Sequence, residues 1–169
     1  MLTHGGSAWE NSKLVDHFFM ARAIELAIEN VRSGRGGPFA ALVVKDGRVV
    51  AEGTNCVTSL NDPTAHAEVV AIREACTALG AFQLDECDLY TTCEPCAMCL
   101  GAIYWARPAR VYFASTAADA AAAGFDDAFI YEQIALPLPE RKIPFLELMR
   151  EESLACFREW SEKQDRIDY

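Results

Sequence analysis

His66-Ala67-Glu68 and Pro95-Cys96-Ala97-Met98-Cys99 are the segments whose residue types could do chemistry together. Imidazole nitrogen and thiolate sulfur are ligands of tetrahedral zinc. One His with two Cys leaves the fourth position open, as a catalytic zinc requires. Beside such a centre Glu68 can take a proton from an attacking water and hand it to a substrate. Cys96 and Cys99 are three apart, so a first helical turn presents both on one face. His66 and Glu68 are two apart and would splay on a helix side, but in a first turn both can converge on an ion beyond the helix end. Two helix N-termini facing one ion supply partial positive charge and stabilise thiolates. Cys93 repeats the Cys-x-x-Cys spacing with Cys96. Cys96 and Cys99 are preferred as ligands because Pro95 places them inside the helix start and leaves Cys93 before it. Cys56, Cys76, Cys87 and Cys156 read as small buried hydrophobes. A redox dithiol explains neither His66 nor Glu68, and a structural zinc site needs a fourth ligand, for which Cys93 is the obvious candidate.

The elements that must position these groups follow from periodicity and punctuation. A polar lead-in, residues 1–11, precedes a helix capped by Ser12 and running to about Ser33. Val15, Phe18, Phe19, Ile24, Leu26, Ala27 and Val31 supply its apolar stripe, and Gly34, Gly36 and Gly37 end it. Phe39–Lys45 and Arg48–Thr54 are rich in β-branched residues, and Asp46-Gly47 between them is a hairpin turn signal. Asn61-Asp62-Pro63-Thr64 is a loop before a helix from about Ala65 to Leu79, closed by Gly80. Asp88–Thr92 reads as a strand, Pro95 as a first-turn residue of the next helix, and Arg110–Ala114 as a further strand. This strand–helix–strand order implies parallel pairing. Gly124-Phe125-Asp126-Asp127 breaks an Ala-rich stretch, Leu136–Pro139 is a connector, and Leu154, Phe157 and Trp160 recur at helical spacing near the C-terminus.

The chain has 169 residues and a formal net charge of −10, a length suited to one domain. Residues 1–115 carry 9 basic and 13 acidic side chains, and residues 116–169 carry 6 and 12. With no Lys/Arg block, this balance counts against binding a polyanion such as nucleic acid. No apolar run reaches the length of a membrane span, and the first residues lack a signal-peptide core. The expected compartment is the cytoplasm, where a cysteine cluster reads as metal binding or catalysis.

His-x-Glu followed by Pro-Cys-x-x-Cys is the pattern of zinc deaminases that act on nucleobases. From about Gly36 to Tyr169 the sequence resembles the cytidine-deaminase-like superfamily, and more closely the bacterial guanine deaminases within it. Gly37-Pro38-Phe39-Ala40, Asn61 through Glu68 and Cys93 through Pro108 carry the superfamily resemblance. Gly124-Phe125-Asp126-Asp127 and an acidic tail ending in Tyr169 favour the guanine deaminases. The resemblance implies an α/β fold, a three-layer α/β/α sandwich around a central five-stranded mixed sheet. It also implies a homodimer whose C-terminal segments, from about residue 150, are exchanged between subunits.

On that resemblance His66, Cys96 and Cys99 hold one Zn2+ per chain, and zinc-held hydroxide attacks C2 of guanine. Glu68 shuttles the proton, ammonia leaves and xanthine remains. Asp127 matches the family's second carboxylate, with Asp126 as its alternative. Asn55 matches the substrate-binding Asn, offering both donor and acceptor to a purine edge. Phe39 and Trp105 match walls of the base pocket, and Tyr169 matches a residue that closes it. The rival readings are a transfer-RNA adenosine deaminase, a cytosine or triazine deaminase, and a zinc-stabilised interaction module without chemistry. The first would normally want a basic C-terminal face.

Overall fold

The computed structural model describes residues 8–125 and 127–169, with side chains from Asp16 onward. Of the expected lead-in over residues 1–11, residues 1–7 lie outside what is described and residues 8–11 are helical, while the side chains of Ser12 and Val15 and all of Asp126 also lie outside it. Helix α1 spans Ala8–Arg32 and so begins before Ser12. Neither Pro nor Gly interrupts the chain from Ala8 to Ser33, so the helix continues on both sides of Ser12.

Strands β1 (Ala40–Lys45) and β2 (Arg48–Thr54) form an antiparallel hairpin. At its turn Asp46 and Gly47 both have positive φ, 50° and 70°, as a type I′ turn requires. A short helix α2 (Val57–Leu60) follows, then α3 (Ala67–Leu79), closed by Gly80 in the left-handed region. Strand β3 (Cys87–Cys93), helix α4 (Ala97–Ala106) and strand β4 (Arg110–Ser115) make the expected parallel crossover. The strand order is β2-β1-β3-β4, with β1 antiparallel to both neighbours.

Successive residues on β1 face opposite layers, and residues two apart face the same one. Ala41 and Val43 join Ala67, Ala71, Ile72 and Ala75 of α3 and Ile103 and Ala106 of α4 in one core. Ala40, Leu42 and Val44 join Phe19, Ala23, Leu26 and Ala27 of α1 on the other side, with Tyr90. This is the three-layer α/β/α arrangement. Helix α1 carries apolar residues on more than one face, so periodicity alone does not fix its buried side. Phe18, Ile24 and Val31, expected on the stripe, are exposed, whereas Ala23 and Asn30 are buried.

The sheet has four strands among the described residues, not five. After β4 the chain turns into helix α5 (Ala117–Ala122) through a capping box. Asp119 accepts the Thr116 N–H at 2.8 Å, and the Asp119 N–H donates to the Thr116 hydroxyl at 3.3 Å. An Ala-rich segment behind a formed cap propagates as helix, which ends the ladder there.

Residues 128–169 form a second compact unit, beside the one ending at Asp127. It holds α6 (Ala128–Ala135), a 3-10 turn (Leu138–Glu140) and α7 (Arg150–Glu162), the last being the expected C-terminal helix. No residue of α7 is buried. Cys156, expected to be a buried hydrophobe, is exposed there, while Cys87 is buried and Cys56 and Cys76 are half-buried. No helix among the described residues is long and apolar enough to cross a membrane.

Gly53 sets how closely α3 sits on the sheet. A Cβ there would lie 2.3 Å from the Ala67 carbonyl oxygen and 2.5 Å from the Ala71 nitrogen. Both obstacles are backbone, so Gly53→Ala must push the helix away. Urea denaturation is expected to show a loss of about 1–3 kcal/mol, and an unchanged midpoint would mean that α3 is not seated by this contact.

Candidate active site

His66 and Cys96 occupy equivalent places. Each is the N-cap of its helix, α3 and α4, with extended backbone (ψ 154° and 170°), and neither side chain caps its own helix. Cys99 and Glu68 follow in the first turns. Pro95 therefore precedes the α4 cap and does not stand inside the first turn as expected. Strand β3 runs to Cys93, and the chain stays extended through Cys96 before it coils.

The His66 Nδ1 atom lies 3.6 Å from the Sγ of Cys96 and 3.6 Å from the Sγ of Cys99. The three ligand atoms lie within 4.8 Å of one another. A tetrahedral zinc with ordinary Zn–S and Zn–N lengths has S···N edges of about 3.6 Å, so the donor set fits that ion in kind and in spacing. Cys93 is not in the cluster: its thiol approaches the Thr116 carbonyl oxygen at 3.6 Å.

The charges are arranged for a cation. The Cys96 thiol is lowered to about 4, first by the hydrogen bond from Cys99 and then by His66. Cys99 is pushed up, first by its hydrogen bond to Cys96, then by burial and by Glu68. A dication held by both sulfurs would take them as thiolates and displace the protons they carry. Burial raises the Glu68 carboxyl, which is 6% exposed, and its Oε2 lies 3.4 Å from the Cys99 Sγ. His66 is raised, chiefly by its contact with Cys96.

These groups open onto a cavity of about 460 Å³. His66, Glu68, Cys93 and Cys96 line its floor with Asp127, and Phe39, Asn55 and the Gly34–Gly37 turn complete the wall. Phe125, Glu94 and Gly36 are among the lining residues that the sequence reading of the site did not include. Phe125 packs edge-to-face on Phe39, with centroids 4.8 Å apart at 79°. The Glu94 carboxylate accepts the Ala117 N–H at 3.0 Å. Gly36 lies against Asn55, so closely that a Cβ there would meet the Asn55 carbonyl oxygen at 2.0 Å. Trp105 lies in the last turn of α4, opposite the end that carries Cys96 and Cys99. It is 63% exposed and is not among the lining residues. Tyr169 is exposed at the end of the 128–169 unit.

Asn55 is buried with its amide already oriented. Its Oδ1 accepts the Gly37 N–H at 3.3 Å and the Val57 N–H at 3.4 Å, so the amide NH2 is the group left for a ligand. The expectation that Asn55 offers an acceptor as well does not fit this geometry. Behind it lies Asn30, fully buried, whose Nδ2 donates at 2.9 Å to both the Gly37 and the Asn55 carbonyl oxygens. A signal for Asn30 was present in the sequence: it continues the spacing of Phe19, Ala23, Leu26 and Ala27 along one helix face, just before the glycines.

Residues 14–115 match the family described as the cytidine and deoxycytidylate deaminase zinc-binding region. The chain belongs to that family of zinc-binding deaminases. Within it, the chain is 58% identical over 151 residues to the guanine deaminase of Bacillus subtilis (strain 168), covering 89% of this chain and 97% of that one. An X-ray structure of the B. subtilis guanine deaminase superposes with a TM-score of 0.89 at 57% identity, over 90% of this chain and 98% of the other. The tRNA-specific adenosine deaminase of Agrobacterium fabrum (strain C58) is 48% identical over 93 residues, 53% of this chain and 61% of its own length.

Elemental analysis of the purified protein is expected to find one zinc per chain. His66→Ala, Cys96→Ala and Cys99→Ala should each bring the content well below one. Full zinc in all three variants would place the metal elsewhere.

Proposed function

We propose that the protein is a zinc-dependent hydrolase that deaminates guanine to xanthine and ammonia. The observation that carries this reading is the convergence of a three-ligand metal cluster and two carboxylates, Glu68 and Asp127, on one cavity with an aromatic wall. The choice of guanine is supported by the 58% identity to a guanine deaminase along nearly its whole length. The alternative of a transfer-RNA substrate has less support: residues 116–169 carry 12 acidic against 6 basic side chains. A small purine base accounts for the cavity without a basic surface, and the cytoplasm is the compartment that suits both substrate and free thiols.

His66, Cys96 and Cys99 are the residues that would hold zinc, which when bound supplies the Lewis acidity that makes water nucleophilic near neutral pH. Glu68 takes the proton of the attacking water and delivers it to a ring nitrogen as the new bond to C2 forms. Its burial suits that task, because a raised carboxyl gives up a proton more sparingly and can carry it through the step. The C2–N bond then breaks, and Asp127 handles the proton that lets the amine leave as ammonia. Asn55 donates its NH2 to an acceptor on the purine edge. Phe39 lies flat against the base, supported by Phe125.

Zinc-loaded protein is expected to convert guanine to xanthine in an ultraviolet assay, with ammonia released in equal amount. Adenine, cytosine and guanosine, run in parallel, should be poor substrates. Glu68→Ala should lower kcat by roughly 100- to 10,000-fold with zinc retained, and Asp127→Asn should also slow turnover strongly. Full activity of Glu68→Ala would refute its role, and inactivity on every base would refute the reading.

The proposal extends to a homodimer with exchanged C-terminal segments, in which Tyr169 closes the pocket of the partner and Trp105 joins its wall. Exposed apolar side chains in each unit support it. Tyr104, Trp105, Val111 and Phe113 are exposed in the first unit, and Leu146, Leu148 and Phe157 in the second. Deleting Tyr169 should abolish activity. Re-forming dimers from Tyr169-deleted chains and Glu68→Ala chains should restore part of it, because one site then has both parts. No recovery in proven heterodimers would count against closure by the partner.

A further inference from the structure

The aromatic and zinc-facing walls of the cavity have evident tasks, but the wall made by Asn55 and the glycine turn needs a group behind it. That group is Asn30, on the last turns of α1, with no atom of its own among the cavity lining. We infer that Asn30 is a positioning residue for the substrate. It clamps the Gly36-Gly37 turn onto Asn55 so that the Asn55 amide presents its NH2, and not its oxygen, to the base. The inference rests on the reading of Asn55 as a purine contact.

Three observations carry it. One amide nitrogen, at 0% exposure, spans two backbone carbonyls from segments 18 residues apart in sequence, Gly37 and Asn55, at 2.9 Å each. Gly37 is held from its other side as well, its N–H donating to the Asn55 Oδ1, so the turn and the side chain fix each other. The turn approaches Asn55 so closely that only a residue without a Cβ fits at Gly36.

With Asn30 gone, the two carbonyls lose their shared donor, the Gly37 N–H is free to turn, and the Asn55 amide can rotate. A flipped amide would put an acceptor where the base needs a donor. The effect should therefore appear in substrate binding more than in the chemical step, and it should vanish when Asn55 itself is gone.

The test is a double-mutant cycle on full-length, zinc-loaded protein. Asn30→Ala and Asn30→Ser are made alone and on Asn55→Ala, with zinc content checked in each. Asn30→Ala is expected to raise KM for guanine at least tenfold with a smaller change in kcat, and Asn30→Ser, which keeps one donor, to fall between. On Asn55→Ala the same change should alter kcat/KM less than twofold. A second readout needs no substrate. The Asn55 side-chain NH2 resonances, identified by their loss in Asn55→Ala, should move toward the values of a free amide in Asn30→Ala. Equal losses in both backgrounds, or unmoved resonances, would overturn the inference. Should Asn30→Ala fail to fold, Asn30→Ser and Asn30→Asp, which keeps the shape and removes both donors, carry the same cycle and spectra. If the wild type does not turn over guanine, the functional reading fails, and the resonances still decide whether Asn30 orients Asn55.

Discussion

The site depends on two helices beginning at the same point in space. An N-cap residue has extended backbone and helical neighbours, so its side chain leaves the helix at the end where backbone N–H groups are unpaired and the dipole is positive. His66 and Cys96 both hold that position, and both leave their own helix uncapped. A cluster that gathers two sulfurs and a buried carboxylate would repel itself in an apolar core. Here the opposed charge is supplied twice over, by a cation that the donors fit and by the two helix ends. Take away either helix start and the remaining anionic groups become an uncompensated buried charge, which is far costlier than the pair they belong to.

The rest of the first unit can be read as the means of bringing those two ends together. Helix α3 reaches the sheet through Gly53 and the small residues Ala67, Ala71 and Ala75, which let helix and strand backbones almost touch. Helix α4 is placed by the crossover between the parallel neighbours β3 and β4, which lies on the α3 side of the sheet. Helix α1, on the opposite layer, looks remote from chemistry. Yet through Asn30 it reaches the N-terminal end of β1 and the two segments that wall the cavity there. Both layers therefore converge on the same end of the sheet, one with the metal ligands and the other with the frame of the cavity wall.

Much of this was legible in the sequence because local signals and tertiary demands agree. The Asp46-Gly47 turn, the strand Arg48–Thr54, the close of α3 at Gly80 and the parallel crossover each have a short-range cause. The ligand set was legible because zinc chemistry restricts residue type and spacing at once. What was not legible has physical reasons. The buried side of α1 was misjudged at Phe18, Ile24 and Val31, since apolar residues lie on several of its faces. A fifth strand was expected from family resemblance, while the chain after β4 holds a capping box and alanines. Trp105 lies at the opposite end of α4 from Cys96 and outside the lining of this cavity, a separation that the spacing to Cys96 does reveal at ~1.5 Å of rise per residue. Asn30 was passed over because its one signal is its spacing with Phe19, Ala23, Leu26 and Ala27, and α1 carries apolar residues on more than one face.

Asn55 shows why residue identity is a weaker guide than hydrogen-bond accounting. An amide in isolation offers donor and acceptor alike, and either would suit some edge of some base. Once two backbone N–H groups occupy its oxygen, the same residue becomes a donor of fixed direction. A fixed donor discriminates more sharply than a rotatable amide. A base with an acceptor in that place gains a hydrogen bond, and one with a donor there leaves two donors facing each other in a dry site. The selectivity of such a pocket is then set by what holds the amide as much as by the amide itself. Its determinants extend to residues like Asn30 that never meet the substrate.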